Sequence, residues 1–180
     1  MDPDPLQQQL QQALCHVTSP DGFKGIRASG AILPNDGTRP LSCPQSQNSY
    51  ATAKSAVALF DFERTDAQWM NDHWWKCVVP FLHRYLPATY VLLLDRAQLS
   101  VPLITYTEAM AEVGYTSVMI QHMEAWSPQP VPWSAITGVM VVVFREWVCT
   151  LDPSDPQLDD PASLIAAKRP DLLQQEPDWD

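Results

Sequence analysis

Two groups in this chain have the types and the separation to act together on one small molecule. An imidazole, His16, lies in the β-like run Leu14-Cys15-His16-Val17-Thr18. A carboxylate, Glu124, lies about a hundred residues later in Ile120-Gln121-His122-Met123-Glu124-Ala125-Trp126. Alternate side chains of a strand share a face, so His16 and Thr18 would point one way, and Ile120, His122, Glu124 and Trp126 would share another face. Two hydrogen-bonding side chains on one face can grip the hydroxyls of a sugar. A carboxylate beside an imidazole and an indole in a partly dry cleft can accept such hydroxyls and stabilise a developing positive charge. Each residue also has a plainer reading. A strand glutamate is as often simply exposed, and a lone histidine is as often a satisfied core residue as a ligand. Tyr50 could stack on a flat heterocycle, yet by type alone it is more often a core aromatic.

Other chemistries are poorly supported. Cys15 and His16 are neighbours, so on a strand their side chains diverge, which weakens a thiol–imidazole pair. There is no GxSxG, no GxGxxG and no phosphate loop. The four cysteines (Cys15, Cys43, Cys77, Cys149) are scattered without a CxxC, and His122 with Glu124 is too small a donor set for a metal site.

The elements that must hold these groups can be read from the patterning. Residues 1–14 form a Pro- and Gln-rich N-terminal segment in which Leu6, Leu10 and Leu14 make one helical stripe. Pro20-Asp21-Gly22 opens a short helix that Asp21 caps and that ends at Gly30, in the left-handed position. Asn35 to Asn48 reads as a long loop, a common form of binding loop. Tyr50 to Phe62 reads as a strand turning helical, or as helix throughout. Asp66 to Tyr85 looks helical as far as Pro80, with His73 and His83 structural or exposed. Thr89 to Asp95, Thr116 to Glu124 and Gly138 to Trp147 read as strands, and Thr107 to Val113 as a short helix. In Phe60-Asp61-Phe62-Glu63 the acids are solvated alternates of buried phenylalanines. Residues 151–180 read as an acidic, Pro-rich tail with a small helix over Ala162–Lys168. Helices separate the early strands and the late strands run close together. The expectation is therefore one α+β domain over residues 15–150, with a mixed, mostly antiparallel sheet and a few helices.

Composition bounds the function. The chain has 180 residues, enough for one real core, with a net charge of −10 at pH 7. A uniformly acidic surface repels phosphate backbones, which argues against a general nucleic-acid binder. No signal peptide or membrane-spanning run is apparent, so the expected setting is the cytoplasm, with no membrane partner; a secreted effector lacking a leader would look the same.

The ordered motifs resemble the ADP-ribosyltransferase fold, in the branch of diphtheria toxin and the poly-ADP-ribose polymerases. His16-Val17-Thr18 resembles its first-strand histidine motif. Ser49-Tyr50-Ala51-Thr52-Ala53-Lys54-Ser55-Ala56 resembles its tyrosine followed by a small-residue helix, and Glu124 its late-strand glutamate. The opening His-x-Thr, short helix and hydrophobic-Pro-Asn turn are also similar to DarT-type DNA-modifying toxins and RNA 2′-phosphotransferases. Val17 replaces the usual glycine after the histidine. The resemblance implies NAD as co-substrate, with His16 and Thr18 holding a ribose and Tyr50 stacking on nicotinamide. Glu124 would bond the nicotinamide-ribose 2′-hydroxyl as the catalytic carboxylate. It implies Arg27, with Arg39 and Lys54, as the basic residues available to a phosphate, and His122 and Trp126 as substrate contacts. Gly114 to His122 would recognise a macromolecular acceptor, protein or nucleic acid. A toxin or effector of this kind could have a cognate inhibitor. The competing expectations are a non-catalytic interaction or immunity module on the same scaffold, and an RNA 2′-phosphotransferase-like enzyme.

Overall fold

The computed structural model describes residues 4–34, 49–78, 87–113 and 120–173. It is an α+β single domain built on a seven-stranded sheet whose pairings are all antiparallel.

In chain order the elements begin with α1 (Pro5–Leu10), β1 (Leu14–Thr18), α2 (Pro20–Ser29) and β2 (Ala31–Ile32). Next come α3 (Tyr50–Lys54), β3 (Val57–Asp61), α4 (Ala67–Asp72), α5 (Trp74–Cys77) and β4 (Thr89–Leu94). A 3-10 turn over Arg96–Gln98 leads to β5 (Ile104–Thr105), α6 (Tyr106–Val113), β6 (Glu124–Ser127) and β7 (Val131–Pro132). The long hairpin β8 (Ile136–Val143) and β9 (Glu146–Leu151) then precedes α7 (Pro161–Lys168). The main sheet runs β5-β6-β3-β1-β4-β8-β9, and β2 pairs with β7 in a separate two-stranded ribbon.

The central strands are apolar on both faces because both faces are covered. On one face Leu14, Leu59, Leu92 and Val139 pack with Phe23 and Ile26 of α2 and with Leu164 and Ile165 of α7. On the other, Cys15, Phe60, Val91 and Met140 pack with Leu6 and Leu10 of α1 and Met70 of α4.

Neither expected boundary coincides with a break in packing. Residues 1–14 were expected as a separate segment, but Asp4 caps α1, Leu6 and Leu10 are fully buried, and the Trp74 indole donates to Asp4 at 3.0 Å. Residues 151–180 were expected as a tail, but Leu158, Leu164, Ile165 and Leu172 are core residues, and the Tyr90 hydroxyl donates to the Leu158 carbonyl at 2.7 Å. A few well-spaced leucines outweigh a polar composition once they find a partner face. Within 50–62 the order is helix then strand, the reverse of the first alternative. Ser49 caps α3, and Ser55 ends it in the left-handed region at φ 51.

Candidate functional site

β1 pairs with β4 along its whole length, from Leu14↔Leu94 to Thr18↔Tyr90. With β3 it pairs only at Leu14↔Asp61 and Cys15↔Phe60. β3 meanwhile pairs with β6 from Phe60↔Glu124 to Val57↔Ser127. The ladder between β1 and β3 therefore stops after Cys15, and the two strands run on with different neighbours, so the sheet opens at its centre.

His16 stands at this opening. Its Nδ1 lies 2.9 Å from the carbonyl oxygen of Ala58 on β3. A carbonyl only accepts, so Nδ1 carries the proton and the neutral ring keeps Nε2 as an acceptor. Desolvation of the half-buried ring lowers its pKa below the ordinary 6.5, with the Ala58 bond pulling the other way. Thr18 is buried on the same side of the strand, and its Oγ1 lies against α2: a Cβ on Gly22 would come within 2.2 Å of it. Ser19 caps α2, accepting from the Gly22 amide at 2.9 Å, in place of the expected Asp21.

The register separates the two groups that sequence reasoning paired. Glu124, Phe60, Cys15 and Leu93 form one row across the sheet and face one side. His16 belongs to the next row with Leu92, and by alternation faces the opposite side. The two side chains thus flank the same opening from opposite faces rather than sharing one face. Cys15 is buried on Glu124's side, and burial together with the charge of Asp61 pushes its thiol pKa up, which disfavours the nucleophilic thiolate.

The carboxylate side gathers Glu124, Tyr50, Trp126 and His122. Glu124 is 6% exposed and its Oε1 accepts from the Ile120 amide at 2.8 Å. The expected strand over Thr116–Glu124 begins only at Glu124: Ile120–Met123 form a turn, with His122 left-handed at φ 66, and residues 116–119 lie outside the described residues. His122 therefore does not alternate with Glu124. It is exposed and sits edge-on between Trp69 and Tyr106, with centroids at 5.6 and 5.1 Å. Trp126 is fully buried under Tyr50, ring centroids 4.8 Å apart, and its Nε1 is buried with no hydrogen-bond partner among the described residues. Tyr50, the first residue of α3, is itself 2% exposed and donates to Glu112 Oε2 at 2.5 Å. Burial, helped by that carboxylate, raises its pKa to about 12. Lys54 also bonds Glu112, so α3 is fastened to α6 over Trp126.

Arg27 is elsewhere. It bonds Asp159 at 2.8 Å and lies over the Phe23 ring, joining α2 to the C-terminal segment. Arg39, the loop 35–48, His83 and the acceptor segment 114–119 lie outside the described residues.

Sequence reasoning missed one polar cluster. Asp61 is not a solvated alternate. It is 6% exposed and accepts from Arg96 Nη2 at 2.6 Å, while Arg96 Nε donates to Glu63 at 2.7 Å. The alternation Phe60-Asp61-Phe62-Glu63 gives no hint of a partner on the far side of β4. Among the described residues no group of three or more His, Cys, Asp or Glu is placed to hold a metal ion, and no helix is long and apolar enough to cross a membrane. Comparisons of the chain with models of protein families, with curated proteins and with solved structures found no match.

Proposed function

We propose that this protein is an NAD-dependent ADP-ribosyltransferase or NAD glycohydrolase, with Glu124 as the carboxylate that stabilises the transition state and His16 as a ribose contact. The observation that carries this reading is the opening between β1 and β3, spanned by one imidazole and bordered at its closed end by the row that contains Glu124. Where the ladder stops, β1 and β3 no longer pair with each other, and their backbone groups there are ones a flat, polar molecule can bond. The free Nε2 of neutral His16 can accept from a ribose hydroxyl. Glu124, two strands away and almost dry, stands where a carboxylate acts most strongly on positive charge. The Trp126 indole N–H on the same side has no acceptor among the described residues and is a donor that a ligand can use.

In this mechanism the bond between nicotinamide and C1 of its ribose breaks, and neutral nicotinamide leaves with the bonding pair. Glu124, bonded to the 2′-hydroxyl, stabilises the cation-like ribose. The acceptor's nucleophile forms the new bond to C1 and gives its proton to water. Because His16 and Glu124 face opposite sides, the dinucleotide must pass into the opening rather than lie along one face. Ala58 and Ile120 then exchange their present hydrogen bonds for bonds to substrate.

The test is nicotinamide release from NAD by the purified chain. Glu124→Gln should fold normally and lose about 10²–10³ in turnover; undiminished turnover by that variant removes Glu124 from the mechanism.

A second reading, a non-catalytic interaction or immunity module, is favoured by a different observation: His16, Tyr50, Glu124 and Arg27 each already have a protein partner. NAD separates the two readings. A ligand at a hundred times its Kd stabilises a binding protein by about 2.7 kcal/mol and raises its Tm, whereas the Tm of a module without the site stays fixed.

A further inference from the structure

Away from the central opening, a cavity of about 350 Å³ lies between the turn after β3, the 3-10 turn that follows β4 and the approach to β5. Its charged lining is Arg64 and Arg96; Ser100 and the apolar residues Leu99, Val101 and Leu103 supply much of the rest, and no carboxylate lines it among the described residues. We infer that this cavity binds a small organic oxyanion, a carboxylate or phosphate carried on a short apolar body.

The two arginines are brought together by a single carboxylate. Asp61 accepts from Arg96 Nη2 at 2.6 Å and from the Arg64 backbone amide at 3.2 Å. Thr65 Oγ1 donates to the Asp61 carbonyl at 2.7 Å, so the turn that carries Arg64 is fixed at two points. Glu63 holds Arg96 Nε at 2.7 Å. These contacts use two of the five guanidinium N–H groups of Arg96, and the others make no hydrogen bond among the described residues. The fork is thereby oriented before any ligand arrives, which lowers the cost of ordering it. The Arg64 guanidinium is exposed and makes no hydrogen bond among the described residues. Its charge reaches Glu108, whose carboxyl is held below its usual pKa mainly by bonds from Thr105 and only least by Arg64.

The acids near the site stand behind the arginines rather than in the cavity lining. Asp61 is buried and spent on Arg96 and the turn. Glu63 is 47% exposed and bonds only the Nε edge of Arg96. Two guanidiniums line one cavity of a chain with 11 basic and 21 acidic residues. Planar arginine forks match carboxylate and phosphate oxygens in pairs. The apolar residues of the lining suit a ligand with a hydrophobic part, and the volume lies at the lower end of small-molecule pockets.

The experiment titrates the full chain with benzoate, phenyl phosphate and inorganic phosphate, by calorimetry and by the arginine side-chain NMR signals. Benzoate or phenyl phosphate should bind with a Kd of about 1 mM or tighter and shift the Arg64 and Arg96 signals, and the tighter of the two identifies the headgroup. Inorganic phosphate should bind about tenfold more weakly. Arg64→Ala, a surface change that keeps the Asp61–Arg96 pair, should weaken binding about tenfold with the Tm of the free protein unchanged. Absence of binding by both organic probes at about 10 mM overturns the inference. So does unaltered affinity in Arg64→Ala, or inorganic phosphate binding as tightly as the organic anions.

Discussion

On one side of β1 the sheet continues into β4, β8 and β9, where Leu92, Val139, Met140, Val141 and Val142 are all fully buried. On the other side it continues into β3, β6 and β5, which carry the buried polar groups Asp61, Glu124 and Ser127. The first wing is held by area: each apolar side chain removed from water contributes about 1.5–3 kcal/mol. The second wing needs a specific partner for every group. Asp61 has Arg96, Glu124 has the Ile120 amide, and the Ser127 hydroxyl donates to the Gln129 carbonyl at 2.6 Å. Apolar replacements would often be as stable as such buried charges. The polar wing is where groups suited to chemistry are kept, and β1, with His16 at the parting of the ladders, is the seam between the two.

The contrast can be broken from the apolar side first. Leu92→Ala, at a residue with no exposed surface, should cost about 2–5 kcal/mol in denaturant unfolding; a loss below about 1 kcal/mol would mean the first wing does not carry the stability. At the seam, Gly22→Ala drives a methyl to 2.2 Å from Thr18 Oγ1 and should cost about 1–3 kcal/mol, read by the same unfolding measurement. An unchanged midpoint there would show that α2 is free to lift off β1. The smallest effect is one of pH. The folded His16 ring resists a proton that the unfolded chain accepts near 6.5, so stability is full above that value and falls as pH drops below it toward the lowered folded pKa. His16→Gln should flatten this part of the pH–stability curve, and an identical slope in the variant would assign the titration to another group.

The apolar wing was the legible one. Thr89–Leu94 and residues 139–143 of β8 are unbroken apolar runs rich in β-branched and aliphatic residues, which few other structures accommodate. The hairpin between β8 and β9 escaped notice because Phe144 and Arg145 make its turn at φ 46 and 73, and neither residue type announces a left-handed conformation. Helix α2 was readable from Pro20 and Gly30, whereas its cap moved to Ser19, one hydroxyl among several near the start. The polar wing was read less well. His16 and Glu124 were found by type, but their facing depends on a register between strands more than forty residues apart, which no local pattern encodes. Trp126 looked like a contact for a ligand and is roofed by Tyr50. Asp61 looked wet and is buried, because its partner arrives from the turn beyond β4.

The burial of Leu158, Leu164, Ile165 and Leu172 against the face that α2 also covers bears on how the molecule comes into being. Synthesis proceeds from the N-terminus, so β1, β3 and β4 emerge with one greasy surface still uncovered. That surface is sealed only when the stretch through Leu172 has left the ribosome. A fragment ending at Leu151 should therefore expose this surface and aggregate, and restoring residues 152–173 should recover a monodisperse protein.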